Sequence, residues 1–387
     1  MAVRHGYGKI AGTDALVFAY DTGDTRNSYR GEPTVNLVTN GNFSNGITGW
    51  SYNGSAASYS EVTTFEGRTV FKSNGLTTYS DRGYIYQTIS GLTSGATYTI
   101  SFDYYIISGQ LTYDPDSASN NNASLTSPTG VWKTHTDTFT AASTAVTLNF
   151  WGINGNPGYF YITNIQCELK SHKTPFVNGT RSATQGLLDL TGNYSVDLSN
   201  TSFNSNADIE FDGSNDNFTV NVDSVIRNYT AVTFESVHKD TTGTNGATPY
   251  SLLTYPNAGN GGDGFWHHWV LGGQWYWRLE DNVNGETGGI FSGSTPFQTG
   301  EWYHVVAVVK TNTILYYLNG TLVHTVNTSF AWANLRTDET AYLYLGSGYG
   351  NAYYFGGNLT VFKMYNRELT ADEVRNNYSH YKSRFNI

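Results

Sequence analysis

Three groups of residues in this chain have the types and spacing to do chemistry. The first is Asp208-Ile-Glu-Phe-Asp212. On an extended strand its three carboxylates share one face at intervals of about 7 Å. Two carboxyl groups about 5–5.5 Å apart in a cleft would suit glycoside cleavage with retention. The second group is Phe265-Trp-His-His-Trp269, followed by Gly273-Gln-Trp-Tyr-Trp-Arg-Leu-Glu-Asp281. His267 and His268 are adjacent, so on a strand they point to opposite faces and cannot share a metal. The Trp faces suit a different task. Apolar C–H faces of sugars stack on indole, while neighbouring carboxylates take directional hydrogen bonds from hydroxyls. Trp266, Trp269, Trp275 and Trp277, with Glu280 and Asp281, are therefore expected to form a carbohydrate-binding loop region, dense in aromatics and flanked by Gly. The third group is Tyr84 and Tyr86 with Trp50, Tyr52, Trp132 and Trp151, a second set of ring faces for the same purpose. The competing expectation for any single aromatic here is burial in a core, Trp50, Trp132 and Trp302 above all.

The elements that must carry these groups are strands. The chain has 387 residues, of which 15% are aromatic and only 13% charged, with 42 Gly. Such a composition, rich also in Thr, Ser and Asn, belongs to β-sandwiches with polar loops. Tyr98, Ile100, Phe102 and Tyr104 alternate strictly, which predicts one buried and one wet face. Trp132–Phe139, Ala145–Trp151 and Tyr159–Leu169 read as further strands. A single helix is expected at the end. Thr370 stands three residues before Glu373, a capping box, and Val374, Tyr378 and Tyr381 follow at helical spacing. In the strand before it, Leu359 and Val361 are expected on one face and Phe362 and Met364 on the other, with Thr360 and Lys363 as polar interruptions.

Cys167 is the single cysteine, so stability must come from core burial rather than from an internal disulfide. The net charge of −10, without a basic stripe, argues against nucleic acid as a partner. No stretch is apolar and long enough to suggest membrane insertion, and the opening Ala-Val-Arg-His-Gly lacks the apolar core of a secretory signal. Nucleophilic triads and phosphate-cradling loops are not recognisable. The run Gly259–Gly264 follows no strand–helix–strand pattern and reads as a loop.

The strand and helix at 355–377, together with Glu301-Trp-Tyr-His-Val-Val-Ala-Val-Val309 and Ile314-Leu-Tyr-Tyr-Leu-Asn-Gly320, resemble the laminin-G-like, concanavalin A-like lectin domains. The segment Asn36–Trp50, the strand Tyr84–Ile89 and the stretch Gly91–Tyr105 resemble family 4/9 carbohydrate-binding modules of the galactose-binding-like type. Ala15–Tyr20 resembles the first strand of the lectin-like domain, but Leu188-Asp-Leu-Thr-Gly-Asn193, which should follow it soon, comes far beyond an ordinary connection. The resemblance therefore implies one jelly roll inserted into another. The expected division is 1–33 as arm and first strand, 34–170 as the carbohydrate-binding-module-like domain, 171–184 as linker and 185–387 as the lectin-like domain.

Both families often hold a structural calcium ion through loop carboxylates. Asp212 and Asp216 are the candidate ligands in the lectin-like domain. In the jelly roll, Asn164 stands where an Asp is usual, and Asn42 and Ser44 where an acidic residue is common. Relatives with non-catalytic roles carry the same Phe-Asp-Gly segment, so Asp208–Asp212 is read as a structural or ion-binding strand. The ending is similar to that of structural proteins of tailed phages. That resemblance implies a non-enzymatic virion protein, made in a host cytoplasm, whose partners are other virion proteins, further copies of itself in a homo-oligomer, and host cell-surface polysaccharide. A polysaccharide-degrading enzyme and a purely structural cement protein are the alternatives.

Overall fold

The computed structural model describes residues 15–52, 60–74, 84–116, 123–126, 129–152, 158–222, 228–244, 246–253, 265–271, 274–290, 297–335, 341–348 and 352–387. Among the described residues the fold is all-β with one α-helix, Ala371–Phe385. The chain divides into two compact units, residues 33–182 with 205–207, and residues 1–32, 183–204 and 208–387.

The first unit is a sandwich of two five-stranded antiparallel sheets. One sheet orders Lys133–Thr140, Thr97–Ser108, Tyr159–Glu168, Arg68–Asn74 and Ser60–Phe65. The other orders Ser51–Tyr52, Ile85–Ser90, Ala145–Gly152, Gln110–Asp116 and Ala123–Thr126. Alternation does the sorting. Tyr98, Ile100 and Phe102 from one sheet and Ile85, Leu148 and Phe150 from the other meet in one core. Trp50 belongs to that core, its indole N–H donating to the Asn40 carbonyl at 3.2 Å. The two ends of the unit's chain lie side by side, because Thr34–Val35 pairs with Thr180–Arg181. The buried Glu168 carboxylate fastens this seam. It accepts from the Thr34 hydroxyl at 2.7 Å and from the Thr174 backbone N–H and hydroxyl at 2.8 and 2.7 Å. Residues 171–182, read from sequence as part of a linker, thus pack with the jelly roll.

The second unit stacks an eight-stranded sheet on a six-stranded one. Leu16–Asp21 pairs with Gly356–Tyr365, placing Phe18 opposite Met364. The centre of the larger sheet is Gly356–Tyr365, Ala231–Asp240, Tyr303–Lys310 and Thr313–Leu318. The smaller sheet contains Tyr250–Leu253, Phe265–Leu271 and Gln274–Asp281. The helix packs on the outer face of the larger sheet through Val374 and Tyr381. Its capping box forms as the sequence predicts, Thr370 and Glu373 bonding reciprocally.

Alternation fails at one place in the closing strand. The register with Ala231–Asp240 slips between Val361 and Leu359, leaving Thr360 as an extra residue. Leu359 consequently joins Phe362 and Met364 in the sandwich core, while Val361 faces the helix with Tyr381. Leu359 and Val361 therefore do not share a face. Lys363 is no polar interruption either; it is buried, 3% exposed, under the helix.

Candidate functional site

The Trp-rich stretch is not an exposed loop. Phe265–Leu271 and Gln274–Asp281 are neighbouring strands, and alternation turns Trp275, Trp277 and Leu279 into the core. Trp266 is 1% exposed and lies parallel to Phe234 of the opposite sheet, with centroids 5.8 Å apart. Trp275 is fully buried among Phe297, Tyr303 and His238. Trp277 is 4% exposed. Asp281 is buried too, and organises a turn. It accepts from the N–H groups of Val283 and Asn284 on one oxygen and of Ala331 on the other. Burial raises its pKa, but these hydrogen bonds outweigh it and hold the carboxyl below its usual range. Glu280, also buried, sits 3.6 Å from the Arg278 guanidinium. Trp266, Trp275, Trp277, Glu280 and Asp281 are thus structural as placed, because the strands that carry them form the inner face of a sandwich. The side chains of His267, His268 and Trp269, and the loop Gly259–Gly264, lie outside the described residues.

The acidic strand Ile209–Asp212 turns Ile209 and Phe211 into the core. Asp208, Glu210 and Asp212 lie on its opposite face, at the end of the larger sheet where Ser202–Phe203 pairs with it. Asp212 accepts from the Ser214 and Asn215 N–H groups at 2.7 and 3.1 Å. Burial raises its pKa, but the backbone N–H bonds together outweigh this and lower it. Asp216 accepts from the Ser202 and Asp212 N–H groups, both at 3.0 Å, and burial raises its pKa. Both carboxylates hold the Gly-containing turn together. Among the described residues no group of three or more His, Cys, Asp or Glu side chains is arranged to hold a metal. In the jelly roll, the Asn164 amide donates to Asp103 at 2.9 Å.

The outer face of the second jelly-roll sheet is different. Its strands turn Ile85, Ile89, Leu148 and Phe150 inward, so Tyr84, Tyr86, Thr88, Thr147, Asn149 and Trp151 face away from the core. Register places Tyr86 opposite Asn149, and Asn149 opposite Asp114, in one row across three strands. Tyr84 is 5.3 Å from Trp151 and 6.0 Å from Tyr86 between ring centroids. All three rings are half-buried, which leaves part of each surface open. Asn149 holds the Tyr84 ring in place. Its Oδ1 accepts from the Tyr84 hydroxyl at 2.7 Å, and its amide donates to the Asp114 and Thr147 carbonyls at 3.1 and 3.2 Å. Thr88 and Thr147 hydroxyls share a 3.0 Å hydrogen bond alongside. This face offers fixed aromatic surfaces beside hydroxyls and the half-exposed Asp114, the combination that recognises a molecule with apolar and hydroxylated sides. Asn149 and Asp114 were not singled out by sequence. The alternation of Thr147, Asn149 and Trp151 in the strand Ala145–Gly152 was the available signal.

Comparison with known families places these observations. Residues 212–375 match the concanavalin A-like lectin/glucanases superfamily, and residues 35–155 match a carbohydrate binding domain family. No curated protein matches the chain. Among solved structures, the receptor binding domain of the botulinum neurotoxin C/D mosaic serotype is similar over 51% of this chain and 49% of its own, with 17% identity and a TM-score of 0.37. The Ruminococcus gnavus IT-sialidase CBM40, bound to α2,3-sialyllactose, is similar over 39% of this chain and 84% of its own, with 16% identity and a TM-score of 0.33. The chain thus spans about half the length of the neurotoxin domain. Among the described residues no helix is long and apolar enough to cross a membrane.

Proposed function

We propose that this protein is a non-enzymatic polysaccharide-binding protein, and that the outer sheet face carrying Tyr84, Tyr86 and Trp151 is its principal sugar-contacting surface. The observation that carries the reading is the Tyr84–Asn149 hydrogen bond of 2.7 Å, which fixes a half-buried ring beside Trp151. An aromatic kept solely for stability needs no such positioning on the face turned away from the core. Pre-fixed rings lower the ordering cost of binding. Asp114 and the Thr88–Thr147 pair supply hydrogen-bonding groups at the edge of the aromatic surface. Asn149 acts as a positioning residue, its amide committed to the protein. The match of residues 35–155 to a carbohydrate binding domain family supports the same face of chemistry.

The finer setting in this proposal is the surface of a tailed-phage virion, with bacterial surface polysaccharide as the partner. A chain with one cysteine and 15% aromatic residues, stabilised without an internal disulfide, suits assembly in a reducing compartment. Many copies on one particle would turn weak single contacts into retention.

The test is binding to a panel of bacterial surface polysaccharides, with calcium and with chelator. Replacing Trp151 or Tyr86 with Ala is expected to weaken binding about tenfold or more, the equivalent of roughly 1.4 kcal/mol. Silence of the wild-type protein across the panel would overturn the reading in favour of a cement role. Release of free sugar, abolished by Glu210→Gln, would overturn it in favour of a degrading enzyme.

A further inference from the structure

We infer that the lectin-like unit carries a second, separate ligand site, for a neutral polyhydroxylated molecule of sugar type, in the cavity between the turn at 24–29 and the loop at 188–196. The cavity has a volume of about 450 Å³ and is lined in part by Asn27, Thr184, Leu188, Asn193, Tyr194 and Ser195. Pockets of about 300–1,000 Å³ are the usual size for small-molecule ligands.

Its walls are fixed. Leu188 donates its N–H to the Ser28 carbonyl at 2.8 Å, and the Ser28 hydroxyl donates to the Leu188 carbonyl at 3.0 Å. Leu188 and Ser195 form an antiparallel bridge. Beneath them the buried Asp189 carboxylate accepts from the N–H groups of Ala19, Thr191, Asn193 and Tyr194 at 3.0–3.1 Å, and from the Thr191 hydroxyl. On the other wall the Asn27 amide donates to Asp24 at 2.9 Å, which fixes that side chain too. A loop nailed to one internal carboxylate does not need ordering when a ligand arrives.

The lining also states the ligand's charge. Asp189 is the carboxylate at the cavity, and its two oxygens are engaged by five donors of the protein. The remaining named groups are amides, hydroxyls, one aliphatic side chain and one phenol. Among the described residues lining it, a cation would find no carboxylate but the fully engaged Asp189, and an anion no basic side chain. Amides and hydroxyls around Leu188 and the half-buried Tyr194 ring suit a neutral molecule with C–H and hydroxyl faces. The site uses no residue of the jelly-roll face and stands or falls without it.

The experiment uses the full chain carrying Tyr84→Ala and Trp151→Ala, which removes the jelly-roll rings. Saturation-transfer NMR is recorded with glucose, galactose, N-acetylglucosamine, cellobiose, lactose and chitobiose at millimolar concentration. At least one sugar is expected to retain transfer, weakened about tenfold or more by Ser195→Trp, which fills the cavity from an exposed position. Asn193→Ala, also at an exposed position, is expected to weaken it in the same direction. Equal thermal midpoints for the variants confirm that the fold is kept. Absence of transfer from all six sugars overturns the inference, as does transfer that Ser195→Trp leaves unchanged. Loss of polysaccharide binding by Trp151→Ala in the otherwise wild-type protein bears on the jelly-roll face alone, so the two proposals fail separately.

Discussion

Glu235 and Lys363 are directly opposed on neighbouring strands, with Nζ 3.4 Å from Oε2, and both are buried beneath the C-terminal helix. The Glu235 carboxylate also takes the Tyr365 hydroxyl at 3.0 Å, the Asn377 amide at 2.9 Å and His304 Nε2 at 2.9 Å. Burial pushes its pKa up, but Lys363 and the hydrogen bonds overcome this and hold it at about 2. One carboxylate therefore joins three strands and the helix. Removing one partner leaves the other as an uncompensated buried charge. Glu235→Gln or Lys363→Met is expected to cost about 3–5 kcal/mol, read from urea melts. The double variant should recover part of that loss. If each single variant melts like the wild type, the cluster is not what anchors the helix.

Acid should weaken the fold before it reaches Glu235. His238 is buried beside Trp275 and Phe355, with Nδ1 3.1 Å from the Ser236 hydroxyl. Burial, reinforced by His304, lowers its pKa from 6.5 to about 3. The folded pKa is depressed, so the unfolded chain binds the proton first. The associated stability is fully present above about pH 6.5 and falls as the pH drops towards 3. Between pH 6.5 and 4.5 the loss is about 2 kcal/mol. The Glu235 contribution lies lower, present above its ordinary pKa of 4.5 and lost as the pH falls through about 2. Stability measured in steps of pH should decline across the first window, and His238→Asn should flatten that decline. Equal slopes in the two proteins would rule His238 out as the cause.

The helix cap offers a smaller effect with a clear ordering. Thr370 Oγ1 accepts the Glu373 N–H at 3.3 Å, and Glu373 Oε2 accepts the Thr370 N–H at 2.8 Å. Glu373 additionally pairs with Arg367 through both carboxylate oxygens, at 2.9 and 2.7 Å. Thr370→Ala should cost about 1 kcal/mol. Glu373→Ala should cost more, because it also releases Arg367 from the strand–helix corner. Thermal melts that reverse this order would show that the Arg367 pair contributes nothing.

What could be read from the sequence was local. The capping box needs Thr370 and Glu373 three residues apart, and both the pattern and the helix are there. The strands of the jelly roll follow from alternation, and alternation also places Tyr84 and Tyr86 on one face. The misread parts depend on distant partners. Nothing near Lys363 in the chain indicates that Glu235, 128 residues away, will neutralise it in the interior. The extra residue Thr360 obeys the same residue preferences as its neighbours, so its effect on Leu359 is visible only in the register. The Trp cluster shows the limit most clearly. Aromatic density between glycines describes an exposed loop and an inner sheet face equally well, and the opposing sheet decides between them.

That ambiguity can be put to experiment by contrasting two tryptophans. Trp266 lies against Phe234 inside the lectin-like sandwich, 1% exposed, whereas Trp151 is half-buried on the outer jelly-roll face. Trp266→Ala empties a large core site and is expected to destabilise by about 3–5 kcal/mol. Polysaccharide affinity, measured where the variant is still folded, should stay within about twofold of the wild type, since no ligand reaches that ring. Trp151→Ala should do the opposite, changing the urea midpoint little while weakening binding. The two measurements separate burial from recognition because each variant moves one of them. Affinity lost with Trp266→Ala in a folded protein would return the binding surface to the lectin-like sheet, and the jelly-roll face would then need another explanation for its positioned rings.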